Sequence, residues 1–388
     1  MRILLVSSRF PWPAWRGNQL RTVQWLDALA EHDCLLVCPP SADDADPGTH
    51  QVAIRHLPAT AGRAVLGVAS AILRGRPAQE GFYDSAAARR VVAGAVRDWR
   101  PDLAVIQMVR CAWAFDVIRE VNPELPLLFD AIDSMTLHYD RAAASGGILL
   151  RSASHFEAGR CRRREGELVR HAVVTTAVSG RDLEALGAGS RGMVVPVTGG
   201  SEAKDGIRSD GEMTVLLSGN LGYRPTVRGA LWFADRVWPT LHDAVPSARW
   251  VLAGARPAAA LRRLASRPGI EVHGDVDDLG PFLDRATVAI APMASGSGVP
   301  IKILEAMAAG VPVVVDPWSA DGLEDPSAVA VADGQAAWAS VLERLLGDPA
   351  AAAAQAAAGT EAWLADYRPG RVRERIAQAV GVALSRVG

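Results

Sequence analysis

Ser295-Gly296-Ser297-Gly298-Val299-Pro300-Ile301-Lys302-Ile303-Leu304-Glu305-Ala306-Met307-Ala308-Ala309-Gly310 lies between two short β-branched runs, Val288–Ala291 and Val311–Val315. Small residues lead into Pro300, and an apolar period of three to four carries on to Gly310. Proline suits the first helical position, where no backbone N–H is needed, and glycine suits the residue past the end. The spacing predicts strand, small-residue loop, a helix opening at Pro300 and spanning Ile301–Ala309, then strand, which is one step of a parallel α/β sheet. Free amides at a helix start make an anion site. Lys302 falls in the first turn, where a cation opposes the helix dipole by about 0.3–1 kcal/mol. Bound phosphates would reverse that sign. Glu305 shares the face of Lys302, and a carboxylate one turn deeper suits two vicinal hydroxyls such as those of a ribose. Against this stands an ordinary loop with Lys302 and Glu305 as a solvated surface pair, and spacing alone favours neither.

Working outward, short strand-like runs alternate with longer helical periods. In the first half Ile3–Ser7, Leu35–Cys38, Leu103–Ile106, Leu127–Phe129 and Val173–Ala177 read as strands, with helices at Asn18–Glu31 and Ser85–Trp99. In the second half Thr214–Ser218, Trp250–Ala253, Ile270–His273, Val288–Ala291 and Val311–Val315 read as strands, with one long helix from Thr226 to His242. Between them Pro196 to Gly206 is polar and glycine-rich and reads as a linker. The expectation is two domains, 1–198 and 199–370, with a ligand site at the strand carboxyl ends between them. After the alanine-rich helix at Ala350–Ala358, Pro369-Gly370 reads as a break. The period Val372, Ile376, Val380, Leu384 then marks a last helix over Arg371–Val387 with one face to bury.

Composition narrows the class. The chain has 388 residues, 49% hydrophobic and 22% charged, which suits a folded protein of two or more domains. Forty-one basic against forty-three acidic residues give a net charge of -2, with no bulk attraction to nucleic acid and at most peripheral membrane contact. The longest apolar span, Ala64 to Leu73, is too short for a bilayer, which takes about 20 residues. Four cysteines without a C-x-x-C pair, and a start without a signal-peptide pattern, lead to the expectation of a cytoplasmic protein. No G-x-G-x-x-G follows the first strand, and no G-x-x-x-x-G-K-S/T, H-E-x-x-H or G-x-S-x-G occurs. No metal-ligand spacing is found among the eight histidines, and neither metal nor cofactor is expected.

The stretch from Ser295, continued by Val311-Pro312-Val313-Val314, resembles the donor-site signature of family-four glycosyltransferases, retaining enzymes of the GT-B fold that use nucleotide-sugar donors. The resemblance implies two Rossmann-like α/β domains with a cleft between them, acceptor side first and donor side second, the last helix packing back on the first. It implies that Glu305 holds the ribose, Lys302 the diphosphate, and that Gly298, Val299 and Ile301 line the donor. The family's first glutamate, eight residues before the second, is here Ser297. Ser218-Gly219-Asn220-Leu221-Gly222-Tyr223-Arg224-Pro225 resembles the family's first donor-domain loop. Asn220 stands where an arginine is common, leaving Arg224 or Arg228 to meet the diphosphate, or both as surface charges. Gly269 to Val276 resembles the strand and loop beside the nucleobase, which puts backbone around His273–Val276 there. His273 itself reads as a packed strand histidine.

Ser7 to Asn18 is similar to the family's acceptor-side loop. Gly17 lets backbone approach the donor phosphate or acceptor, Asn18 can cap the next helix, and Trp12 and Trp15 are either sugar-stacking or buried rings. Asp133, at the end of a strand, is a candidate to orient or deprotonate an acceptor hydroxyl, or a helix cap together with Ser134. His138 is one turn on. Arg160-Cys161-Arg162-Arg163-Arg164, interleaved with Glu157, Glu165 and Glu167, reads as a solvated helix face in preference to a contact with anionic lipid. Asp316 follows the next strand towards the donor sugar. The resulting expectation is a retaining, metal-independent hexosyltransferase acting on a glycan, a lipid-linked precursor or a small natural product. A nucleotide-sugar 2-epimerase of the same fold, and a non-catalytic sugar-nucleotide binder, are the alternatives.

Overall fold

Two parallel sheets carry the chain in this computed structural model, which describes residues 1–14, 17–41, 52–58, 64–145, 148–200, 213–293 and 298–386. The chain divides into unit 1, Met1–Val197 with Val372–Gly388, and unit 2, Thr198–Arg371.

Unit 1 runs β1 (Arg2–Val6), α1 (Gly17–Ala28), β2 (Asp33–Cys38), β3 (Ala53–His56), α2 (Ala64–Leu73), α3 (Ala78–Gly81), α4 (Ala86–Trp99), β4 (Leu103–Gln107), α5 (Ala112–Val121), β5 (Leu127–Ile132), α6 (Met135–Ser145), α7 (Ile148–His171), β6 (Val174–Ala177), α8 (Gly180–Leu186) and β7 (Gly192–Val194). Its sheet order is β3-β2-β1-β4-β5-β6-β7, every pair parallel. Parallel neighbours need crossovers, so helices cover the sheet and its central strands read as unbroken apolar runs. Ile3, Leu4, Leu5 and Val6 are accordingly all buried. The outermost strands β3 and β7 are short and half-exposed, and give no such run.

Unit 2 runs β8 (Thr214–Asn220), α9 (Arg224–Arg236), α10 (Trp238–Ala244), β9 (Arg249–Ala255), α11 (Ala259–Arg262), β10 (Ile270–Gly274), α12 (Gly280–Arg285), β11 (Val288–Ala291), α13 (Ile301–Ala308), β12 (Val313–Val315), α14 (Pro317–Ala320), β13 (Ala330–Val331), α15 (Gly334–Gly347) and α16 (Pro349–Ala362). The order β10-β9-β8-β11-β12-β13 is again wholly parallel. Its core gathers Trp250, Phe233 and Trp338, with the Phe233 and Trp250 rings 4.7 Å apart. The chain then returns to unit 1 through α17 (Pro369–Ser385). Val372, Ile376, Ala379, Val380 and Ala383 enter the same core as Ile3, Leu5, Trp25 and Leu128.

Several local expectations are corrected. The helix expected from Thr226 to His242 is two, α9 and α10, because Pro239 has no N–H to continue the ladder. Pro300 is the N-cap of α13 rather than its first residue, with φ −63° and ψ 122°, and its carbonyl accepts from Ile303 N–H. The break expected at Pro369-Gly370 is present: Arg368 is extended, with φ −60° and ψ 147°, and Pro369 opens α17 behind it. Residues 196–199 are buried rather than a solvated linker: Trp363 Nε1 donates to the Gly199 carbonyl at 2.7 Å. The remainder, 201–206, lies outside the described residues.

Arg164 and Glu165 are also buried, not solvated. Arg164 is enclosed by Glu80, Asp116 and Glu167. A three-to-four residue charge pattern looks the same whether the face meets water or a buried ion-pair cluster.

Candidate functional site

In unit 2 the strand order reverses between β8 and β11, and the carboxyl ends of these strands frame a crevice of the kind that binds ligands in open α/β sheets. Helix α13 enters there from the Gly298-Val299-Pro300 turn, with Gly298 at φ 70°. It ends in a Schellman motif: Val311 N–H reaches the Ala306 carbonyl, Gly310 N–H reaches Met307, and Gly310 sits at φ 68°. The apolar face of α13, Ile303, Leu304, Ala306 and Met307, is buried and sets its rotation. That rotation leaves Lys302 and Glu305 half-buried on the other side.

Lys302 does not extend into water. Its Nζ donates to Thr226 Oγ1 at 3.3 Å. It lies against the backbone of Gly219, where a β-carbon would come 3.6 Å from Lys302 Cε. Gly219 is at φ 101°, and a β-carbon at Gly254 on the neighbouring strand would fall 1.7 Å from the Gly219 carbonyl oxygen. Glycine at both positions therefore lets β8 and β9 close up beside the lysine. Burial pulls the Lys302 ammonium down to about 8, with Glu305 opposing the shift. The Glu305 carboxyl is pushed up by burial, with Lys302 drawing it back. An ammonium and a carboxylate are thus held without full solvation, an arrangement that a ligand bearing phosphates and hydroxyls would complete.

Thr226 is the member of this group that the sequence reading overlooks. It is buried in the first turn of α9, and its place there is visible only as a threonine soon after a glycine loop. Asn220 Oδ1 accepts from Gly222 N–H at 3.0 Å, so the residue builds the loop as an Asx turn. Arg224 and Arg228 are both exposed, one turn apart on α9.

His273 is a correction: it is 44% exposed, not packed, because it lies at the carboxyl end of β10 where the sheet loses its cover. Its Nε2 stands 3.2 Å from Glu271 Oε2, which with Arg249 holds that carboxyl below its usual range. Val276 is half-buried two residues past β10. Asp316 takes Met293 N–H at 2.8 Å and Ser319 N–H at 3.0 Å, capping α14. Ser297 and Trp15 lie outside the described residues, whereas Val299 is buried and Ile301 half-buried.

In unit 1, Asp133 follows Ile132, a β-branched residue at φ 64° beside a register shift between β5 and β6. Such a backbone costs about 1–3 kcal/mol and persists where its surroundings over-determine it. Here two carboxylates do so. Asp182 accepts Ser134 N–H at 3.0 Å, and Glu165 accepts Met135 N–H at 2.7 Å and Thr136 Oγ1 at 2.6 Å. The cap of α6 is Ser134, whose Oγ takes Leu137 N–H at 3.2 Å. Burial and then the neighbouring Asp133 raise both carboxyls against these hydrogen bonds, Glu165 to about 7. His138 is pulled down by burial while Asp133 opposes the shift, which brings the two side chains into one electrostatic neighbourhood. Gly17 opens α1, so Asn18 lies inside the helix rather than capping it. Trp12 packs edge-on against Phe10 at 5.5 Å.

Among the described residues no cluster of His, Cys, Asp or Glu could hold a metal, and no helix is long and apolar enough to cross a membrane.

Residues 212–348 match the family described as Glycosyl transferases group 1. No curated protein matches the chain in sequence. Sucrose-phosphate synthase from Thermosynechococcus elongatus is similar in structure, with a TM-score of 0.74, 15% identity and 99% of each chain covered. An α,α-trehalose-phosphate synthase (UDP-forming) from Burkholderia vietnamiensis has a TM-score of 0.67 at 13% identity, all of both chains covered. The Anabaena protein HepE in complex with UDP-glucose has a TM-score of 0.63 at 14% identity, covering 98% of this chain and 99% of its own.

Proposed function

From a glycosyl transferases group 1 domain at residues 212–348 of a GT-B chain, we propose that this glycosyltransferase moves a hexosyl-type sugar from a nucleotide diphosphate to an acceptor hydroxyl, with retention and without a metal. The observation that carries the reading is the Lys302–Thr226–Gly219 contact at the β8/β11 reversal, with Glu305 on the same helix face. In this reading Lys302 pairs with the diphosphate, and the amides leading into α13 add donors. Glu305 takes both ribose hydroxyls, and backbone at His273–Val276 flanks the base. Negative charge grows on the departing diphosphate in the transition state, so a preorganised cation there lowers the barrier. The leaving phosphate oxygen takes the acceptor proton, and Asp133 orients the acceptor hydroxyl. Positioning supplies the rest.

The Anabaena neighbour binds UDP-glucose, which makes UDP-glucose the first donor to try. The test is a thermal-shift series with UDP-, GDP-, ADP- and dTDP-sugars, followed by nucleotide release with and without acceptors. A donor at about 100 times its Kd stabilises by about 2.7 kcal/mol. One base is expected to raise the melting temperature and to lose this effect in Lys302→Ala. No shift with any nucleotide sugar at millimolar concentration would sink the reading. Conversion of the donor without any acceptor would replace it with an epimerase.

A further inference from the structure

We propose that the outward face of α2 docks unit 1 onto an anionic lipid bilayer surface, a role that goes beyond sugar transfer and does not depend on it. Helix α2 inverts the usual pattern of a surface helix. Its small residues face inward: a β-carbon at Gly67 would fall 2.1 Å from the Gly81 carbonyl oxygen, so α2 lies directly on α3, and Ala71 is buried beside it. Its large residues face outward. Val65, Leu66 and Leu73 are 78%, 74% and 88% exposed, and Ile72 and Ala69 are exposed with them. Positions 65, 66, 69, 72 and 73 recur as one side of a helix, and all five are apolar. A soluble domain keeps such a stripe out of water, and an exposed contiguous one marks an interaction surface.

The charges at its edge identify the occupant. Arg74 follows the helix directly and bonds Ser70 Oγ at 2.8 Å. Arg163 of α7 donates to the Gly75 carbonyl at 3.2 Å, which puts a second guanidinium at the same end of α2. Among the described residues neither is paired with a carboxylate. A second copy pairing with this face in parallel would bring its own Arg74 and Arg163 to the same rim, like charge against like, and an antiparallel one would set those guanidiniums against the apolar Val65-Leu66 end, with no opposite charge for them. A bilayer with anionic headgroups offers the opposite sign to the rim and hydrocarbon to the stripe. Ten helical residues span about 15 Å, half the hydrocarbon thickness, so α2 would lie in the plane of the interface and not cross it.

Co-sedimentation with vesicles tests this, using equimolar phosphatidylglycerol and phosphatidylcholine against phosphatidylcholine alone. The intact chain is expected to pellet with the anionic vesicles and to be released by salt. Leu66→Glu with Leu73→Glu should cut that binding by about tenfold. Arg74→Glu with Arg163→Glu should cut it on anionic vesicles only. All four side chains are surface ones, and unchanged circular dichroism and melting temperature verify that the variants fold. Equal pelleting of wild type and Leu66→Glu/Leu73→Glu, or no pelleting of wild type, overturns the proposal. So does a concentration-dependent dimer in light scattering that the same pair abolishes, since the face would then belong to a second copy.

Discussion

Lys302 concentrates the chemistry of unit 2 in one side chain, and its pKa of about 8 has a consequence for binding. The free site holds a fully charged ammonium below that pH and a neutral amine above it. Only the charged form pairs with a diphosphate, so affinity for UDP is expected to fall as pH rises through about 8. Lys302→Ala should remove this dependence and weaken UDP binding by about 1.5–3 kcal/mol, leaving uridine binding nearly unchanged. Calorimetric titration of UDP and uridine across pH decides it. A mutant with wild-type UDP affinity would falsify the phosphate role. For Glu305, replacing the carboxylate by an amide leaves one of two ribose hydroxyls mispaired. Glu305→Gln should therefore lose more affinity for UDP than for its 2′-deoxy analogue. Equal losses for the two nucleotides would remove Glu305 from the ribose.

At the scale of elements, Arg21 and Asp130 tie α1 to the strands of unit 1. Both side chains are fully buried, with Arg21 Nη2 2.7 Å from Asp130 Oδ1. Gln107 on β4 donates to Asp130 at 3.0 Å and Thr176 on β6 at 2.8 Å, while Arg21 Nη1 reaches the Val195 carbonyl at 2.6 Å. The network joins residues 174 positions apart through side chains that composition treats as ordinary surface charge. Removing one partner strands a buried charge. Arg21→Met should lower the unfolding free energy by about 3–5 kcal/mol in denaturant titration, with Asp130→Leu added to it recovering much of the loss. A loss under about 1 kcal/mol for the single variant would show that Asp130 finds another partner.

At the scale of the molecule, the chain closes unit 1 with its last helix. The α17 face of Val372, Ile376, Ala379, Val380 and Ala383 shares a core with Ile3, Leu5 and Trp25 from the other end of the sequence. Ending the chain before Pro369 should strip this cover. Hydrogen exchange is expected to rise in β1 and α1 while the protection of β8 and β9 stays as it was. Ile376→Ala, which leaves a cavity in the same place, should cost about 2–5 kcal/mol. Uniform loss of protection across both units would refute this division.

The sequence alone was enough for the α/β class, the inner strands and α13. A strand buried on both faces must be continuously apolar, and a helix between strands must show a period near four, so these features are written locally in runs such as Ile3–Val6 and Ile301–Ala308. Lys302 and Glu305 were legible for the same reason, as charges at helical spacing in a small-residue turn. The short strands β3 and β7 were not, because half-exposed segments of three or four residues carry no such period. Thr226 next to Lys302, the carboxylates of Glu165 and Asp182 under Ser134, and the buried Arg164 cluster were likewise out of reach. Each depends on which residues, tens of positions apart, share one enclosed volume, and burial rather than residue type then sets whether a charge is solvated, paired or shifted. The outward stripe of α2 is the converse case: the largely apolar run Ala64–Leu73 was plain in the sequence, but its exposure follows from the contact of Gly67 with Gly81, a matter of packing.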